Sequence, residues 1–187
     1  MLRDLVIMWA AMSLLMMMPT VLRPARRLAR GSAPRALTFL TGYGLVWLAV
    51  GIIGVPLVIG LSAEPLLLFG AWLAAGLWQL RPGTAALLRR CQGLTADDSI
   101  LRSGMRQGAW CTASCAPLMV VAMATAHALG LPSIGMWLVM AALAAFVIWE
   151  RHPRVSVTAV RFAGVAMIVA AAALFVVGGV GHGPHPA

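Results

Sequence analysis

Six apolar stretches, most of them near the length of a bilayer crossing, constrain this chain more than any other feature. They run over about 5–22, 36–60, 65–80, 108–130, 134–149 and 155–180. A hydrocarbon core about 30 Å thick takes roughly 20 helical residues per crossing. Backbone in lipid must satisfy its own hydrogen bonds, so only helices or a closed barrel can cross. These runs are long and do not alternate, which predicts helices. The expected fold is all-α: a polytopic transmembrane helical bundle of six spans, forming one domain over residues 1–187. Composition fits, with 61% hydrophobic and 10% charged residues, whereas soluble domains are about half apolar. The first run is too long for a signal-peptide core and no small-residue cleavage site follows it. "RPARRLARGSAPR" follows instead and reads as a stop-transfer flank.

Charge orients the bundle. The net charge is +9, and every basic residue is arginine. Arg23, Arg26, Arg27, Arg30 and Arg35 follow the first run, and Arg81, Arg89, Arg90, Arg102 and Arg106 follow the third. The second connection holds only Glu64, the fourth holds no charge, and the fifth holds Arg151 and Arg154 after Glu150. Arginine-rich loops stay on the cytoplasmic side, so both termini are expected outside. Because the arginines sit between apolar runs, they point to a lipid bilayer as the partner and not to nucleic acid. The loop over 81–107 is predicted to form two short interfacial helices on the cytoplasmic side. The first has Leu87, Leu88 and Cys91 on its apolar side, and the second opens on Thr95 with Asp98 three residues on, a capping-box-like start.

Within the fourth run, "CTASCAPLMVVAMATAH" places Cys111, Cys115, Met119, Met123 and His127 at a constant stride of four. On a helix that stride drifts by only about 40° per step, giving a slowly winding stripe about 24 Å long. Pro117 interrupts it halfway, removing a backbone hydrogen bond and freeing a carbonyl. The first run repeats the stride with Met8, Met12 and Met16, and the fifth adds Met136 and Met140. Thiolate and thioether donors select soft ions, copper(I) above all; zinc takes Cys and His but not Met. A thiolate in hydrocarbon is costly unless paired. One thiolate with neutral thioethers makes a neutral copper(I) site, whereas two leave a negative charge. The preferred inner set is therefore Cys115, Met119 and Met12 or Met16. Cys111 and Cys91 stand on the cytoplasmic side, and Met123 and His127 toward the outer end. The plainer reading stays open beside it. Met fills gaps in apolar helices, Cys packs as a small hydrophobe, and His127 sits where an interfacial role is ordinary.

The assembled segments resemble a family. "WAAMSLLMMMPT", "FLTGYGLVW", "AGLWQLRP", "GAWCTASCAPLM" and "MWLVMAALAAFVIWE" occur in the order found in the bacterial predicted metal-binding integral membrane proteins, over roughly residues 5–175. The resemblance implies a multi-pass protein of the bacterial inner membrane that binds metal. This chain departs from the family pattern at Ser114, Leu87 and Thr84, where Cys, Cys and Lys are expected, and at Ala116 in place of an aromatic. The departures remove thiols and shift weight toward methionine ligation or toward no metal at all.

Other polar residues are few. Glu150 with Arg151 reads as a boundary ion pair, and Gln79 as a donor to a neighbouring helix. Gly42, Gly44, Gly70 and Gly76 permit close helix approach. His182 and His185 lie in a short tail that is too sparse for a strong site. No catalytic constellation occurs, so an enzyme is not expected. The leading function is binding or transfer of copper(I) within the bilayer. The rival is a non-catalytic structural or assembly subunit of a larger membrane complex. A redox-active subunit of a membrane enzyme ranks last. The first two differ in which way the stripe faces: inward toward the first span for a metal site, outward for packing against a partner.

Overall fold

The computed structural model describes residues 2–92, 99–150 and 157–180. Among them are seven α-helices and no strand: α1 (Leu2–Ala29), α2 (Ala33–Ala63), α3 (Pro65–Leu80), α4 (Pro82–Gln92), α5 (Ile100–Ala128), α6 (Ser133–Glu150) and α7 (Val157–Val180). The all-α expectation holds. Two helices, α2 and α5, are long and apolar enough to cross a membrane; Pro65–Leu80, Ile134–Trp149 and Arg161–Ala173 are shorter apolar helices.

Local chemistry explains the breaks. Arg30 and Gly31 both take positive φ, at 48° and 83°, and turn the chain between α1 and α2. Glu64 alone separates α2 from α3, at φ −128° and ψ 113°. It precedes Pro65, whose ring disfavours the helical region for the residue before it. At the end of α5, Gly130 N–H donates to the His127 carbonyl and Leu131 N–H to the Ala126 carbonyl. With Gly130 at φ 60°, this is a Schellman cap.

Two boundaries differ from expectation. Helix α1 does not end near residue 22 but continues through Pro24 to Ala29. The second short helix expected before the fourth span does not form separately: α5 is unbroken from Ile100, because the apolar pattern of the span continues back through Met105 and Leu101. The Thr95–Asp98 cap lies outside the described residues; Ser99 is the N-cap and makes no side-chain cap bond.

The most extensive contact is α2 against α5, followed by α3 against α7 and α1 against α2. Glycines set the first seam. A Cβ on Gly104 would strike the Phe39 carbonyl, and one on Gly108 would meet Val46. Position rises together on both helices, so α2 and α5 run parallel. Helix α3 runs antiparallel to α5: Trp78 Nε1 donates to the Ala113 carbonyl at 3.0 Å, and Trp72 Nε1 to Thr125 Oγ1 at 2.8 Å. Of the four expected close-approach glycines, Gly42 and Gly76 serve, while Gly44 and Gly70 face open space.

Pro117 lies inside α5 without ending it. An interior proline strips residue i−4 of its N–H partner, and here that residue is Ala113. Its carbonyl receives the Trp78 indole instead. The freed carbonyl expected from the sequence thus anchors α3 to α5.

Candidate metal centre

The stripe on α5 faces inward. Cys111 and Cys115 are 2% exposed, and Met119 and Met123 are fully buried. His127 is half-buried at the far end. Leu5, Met8 and Trp9 of α1, Trp47 of α2 and Met140 of α6 join the same buried cluster. Trp9 lies across Gly51 and Gly54, where a Cβ at either position would strike its ring. This seats α1 on α2 and brings Met8 into the core.

The Cys115 thiol donates to the Cys111 carbonyl at 2.9 Å. Ser114 Oγ donates to the same carbonyl at 2.9 Å and lies 3.4 Å from Cys115 Sγ. If Cys115 gave up its proton to a base on binding a metal, Ser114 would keep that carbonyl satisfied. Cys115 retains its thiol.

Among the described residues no three His, Cys, Asp or Glu side chains gather to hold a metal. The buried donors among the described residues are cysteine sulfurs and several thioethers. That set suits a soft monovalent ion and is wrong for zinc. The side chains of Met12, Met16, Cys91 and Glu150, together with Arg151, His182 and His185, lie outside the described residues.

Sequence reasoning stopped the stripe too soon. The stride of four continues backward through Gln107 and Ser103, both buried; their polarity within an apolar pattern was the available signal. At the arginine end, Arg106 and Arg90 each place a guanidinium over the Trp110 ring, 5.5 and 5.9 Å from its centroid.

Gln79 does not play its expected part. It is 2% exposed, and neither side-chain polar atom has a hydrogen-bond partner among the described residues. It packs against α7 near Gly164, where a helix offers no spare backbone group.

A groove of about 480 Å³ runs between α1 and α2, lined by Val6, Ala10, Tyr43, Leu48 and Ile52 among others. Trp9 and Trp47 belong both to its wall and to the buried cluster.

No curated protein and no solved structure matches the chain. The family model described as PpoB2, copper chaperone, matches residues 6–174. The metal-related kinship expected from the sequence is therefore present, and with nearly its whole length inside that match the chain belongs to the PpoB2 copper chaperone family.

Proposed function

We propose that this chain is an integral membrane copper(I) chaperone that carries the ion along the inward face of α5. The observation that carries the reading is the orientation of the stripe. Cys115, Met119 and Met123 are buried inside the bundle, in the same core cluster as Met8 and Trp9 of α1, the orientation a metal site needs and a packing subunit does not. Cys115 and Met119 form the inner site with an α1 methionine, Met12 or Met16. Cys111 and Cys91 stand at the cytoplasmic end, and His127 at the outer end. Copper(I) is the cargo, and the residues present suit it: one thiolate cancels its charge, and thioethers complete a soft shell.

Six spans in the bacterial inner membrane, with both termini outside, complete the proposal. Parallel α2 and α5, with α3 antiparallel to α5, are what an alternating path requires when α4 lies in the interface. Ile52, Ile53 and Phe162 are each more than two-thirds exposed, and lipid is the solvent that suits such a surface.

The test is copper content of the detergent-purified protein by mass spectrometry, after copper(I) loading and washing. About one ion per chain is expected, lost in the Cys111→Ser/Cys115→Ser double variant. Equal copper in the variant, or none in either protein, would overturn the reading and favour an assembly subunit.

A further inference from the structure

The groove between α1 and α2 lies outside the copper path. The two helices run antiparallel from the turn at Arg30 and Gly31, with Trp9 seated on Gly51 and Gly54 toward the far end of α2. The groove follows them from Val21 and Leu40, nearest the turn, to Val6 and Pro56. From Leu40 to Pro56 is about 24 Å along a helix, most of a hydrocarbon core about 30 Å thick. Leu14, Leu48 and Ile52 on its rims are exposed. The lining is aliphatic and aromatic apart from Ser13, whose Oγ donates to the Trp9 carbonyl at 2.8 Å. A Cβ on Gly44 would meet no protein atom, so the groove is open there. Its turn end is cationic. Arg26 and Arg27 close α1 within two turns of Val21, Arg30 and Arg35 follow, and all four are exposed. No acidic residue occurs between positions 5 and 63, so this hairpin supplies no carboxylate of its own to offset them.

We propose that the α1–α2 groove seats one anionic phospholipid, with an acyl chain along the groove and the phosphate among Arg26, Arg27 and Arg30 at the turn. This rests on the membrane part of the reading above and not on copper. On the proposed topology the turn faces the cytoplasm, whose leaflet carries anionic lipid, and basic sites beside membrane helices on that side hold anionic head groups. Arginine pairs with phosphate through its planar fork of donors. The same two helices contribute the apolar groove and the cations, so the ligand that meets both is amphipathic and anionic. A zwitterionic lipid fills the groove but brings no net charge to the arginines. A free phosphate meets the arginines and leaves the groove empty.

Trp9 and Trp47 give the seat a structural consequence. Their rings lie 6.5 Å apart and tilted by 51°, and they wall the groove while belonging to the cluster that holds Met8, Cys115 and Met119. An acyl chain in the groove packs against this pair and helps to hold α1 on α2. The bound lipid is then part of the wall behind the buried sulfur atoms.

The experiment starts from membranes containing the full-length protein. Alkaline carbonate washing comes first: release of the chain into the supernatant overturns the membrane reading and the seat together. The retained protein is purified in detergent and titrated in mixed micelles with dioleoylphosphatidylglycerol or dioleoylphosphatidylcholine, and native mass spectrometry counts bound lipid. One phosphatidylglycerol per chain should persist under activation that strips phosphatidylcholine. Arg26→Gln/Arg27→Gln should weaken phosphatidylglycerol binding about 25-fold, roughly fivefold per arginine, and leave phosphatidylcholine unaffected. Gly44→Leu fills the groove where a Cβ meets no protein atom. It should lose the bound phosphatidylglycerol and keep its elution volume in size-exclusion chromatography. Equal retention of the two lipids overturns the seat and leaves ordinary bilayer contact. Phosphatidylglycerol held as tightly by both variants as by the wild type overturns it too. Either result leaves the membrane and copper readings standing.

Discussion

The Trp78 indole, the Ala113 carbonyl and Pro117 form a three-part junction whose energetics can be tested directly. Pro117 has no N–H, so the Ala113 carbonyl loses its intrahelical donor. Trp78 Nε1 replaces it at 3.0 Å. Trp78→Phe removes the donor but keeps a ring beneath the Arg81 guanidinium, which now sits 5.5 Å from the Trp78 centroid. A lost bond costs about 1 kcal/mol net, and a carbonyl left unsatisfied raises this toward about 3 kcal/mol. Measured inter-helical bonds in a membrane protein average about 0.6 kcal/mol and reach about 1.7. We expect Trp78→Phe to cost about 1 kcal/mol. Pro117→Ala returns a backbone N–H to the same carbonyl, so in that background Trp78→Phe should cost less than half as much. The coupling in the double-mutant cycle is then roughly 0.5–1 kcal/mol. Trp72→Phe is the control: its partner Thr125 Oγ1 lies about 12 Å along the helix from Pro117, and its effect should add to that of Pro117→Ala. Reversible unfolding in mixed micelles reads all of these variants. Additivity of Trp78→Phe and Pro117→Ala within about 0.3 kcal/mol would refute the junction.

Other substitutions separate packing from binding. Gly104→Val drives a Cβ into the Phe39 carbonyl and should prevent α2 and α5 from docking, read as loss of monodisperse protein in size-exclusion chromatography. Gln79→Leu should leave stability unchanged or raised, because a buried amide with no partner carries a desolvation cost of about 1–3 kcal/mol that leucine does not; a loss above about 1 kcal/mol in unfolding would show that the amide is satisfied. Met119→Leu nearly conserves volume and should cost under about 1.5 kcal/mol of stability. Chelator competition should nonetheless report about tenfold weaker copper(I) binding, and unchanged affinity would remove Met119 from the ligand set.

How much was legible depended on whether a property belongs to one helix or to a pair. The stripe is a property of α5 alone, so its stride was visible in residues 111–127, whereas its inward aspect was not, because that depends on how α5 packs against its neighbours. The carbonyl freed by Pro117 was equally legible, being fixed four residues back on the same helix. Which group would satisfy it was not, since that depends on the register of α3 and on which of its tryptophans meets Ala113. Glycines show the same limit: Gly42 and Gly44 look alike in sequence, yet only Gly42 meets a neighbouring helix. Gln79 misled because a polar residue in an apolar helix implies a partner, and α7 presents Gly164 there.

On the copper reading, charge decides where along the stripe the ion rests. A cation in hydrocarbon needs a counter-charge close by. Between Cys115 and the outer end, the buried donors of the stripe are Met119 and Met123, and thioethers carry no charge. An ion bound only by them keeps its full +1. The stripe is therefore not a chain of equal stations spaced about 6 Å apart. Cys115 is the well, and the methionine stretch is the slope by which the ion arrives or leaves. In a Cys91→Ser/Cys111→Ser variant the one remaining thiolate, at Cys115, should hold one copper, and adding chelator-buffered copper(I) beyond that should fill no second buried site. Two coppers per chain surviving the wash in that variant would show that the methionines hold an uncompensated cation, and would overturn both the charge argument and the central place it gives Cys115.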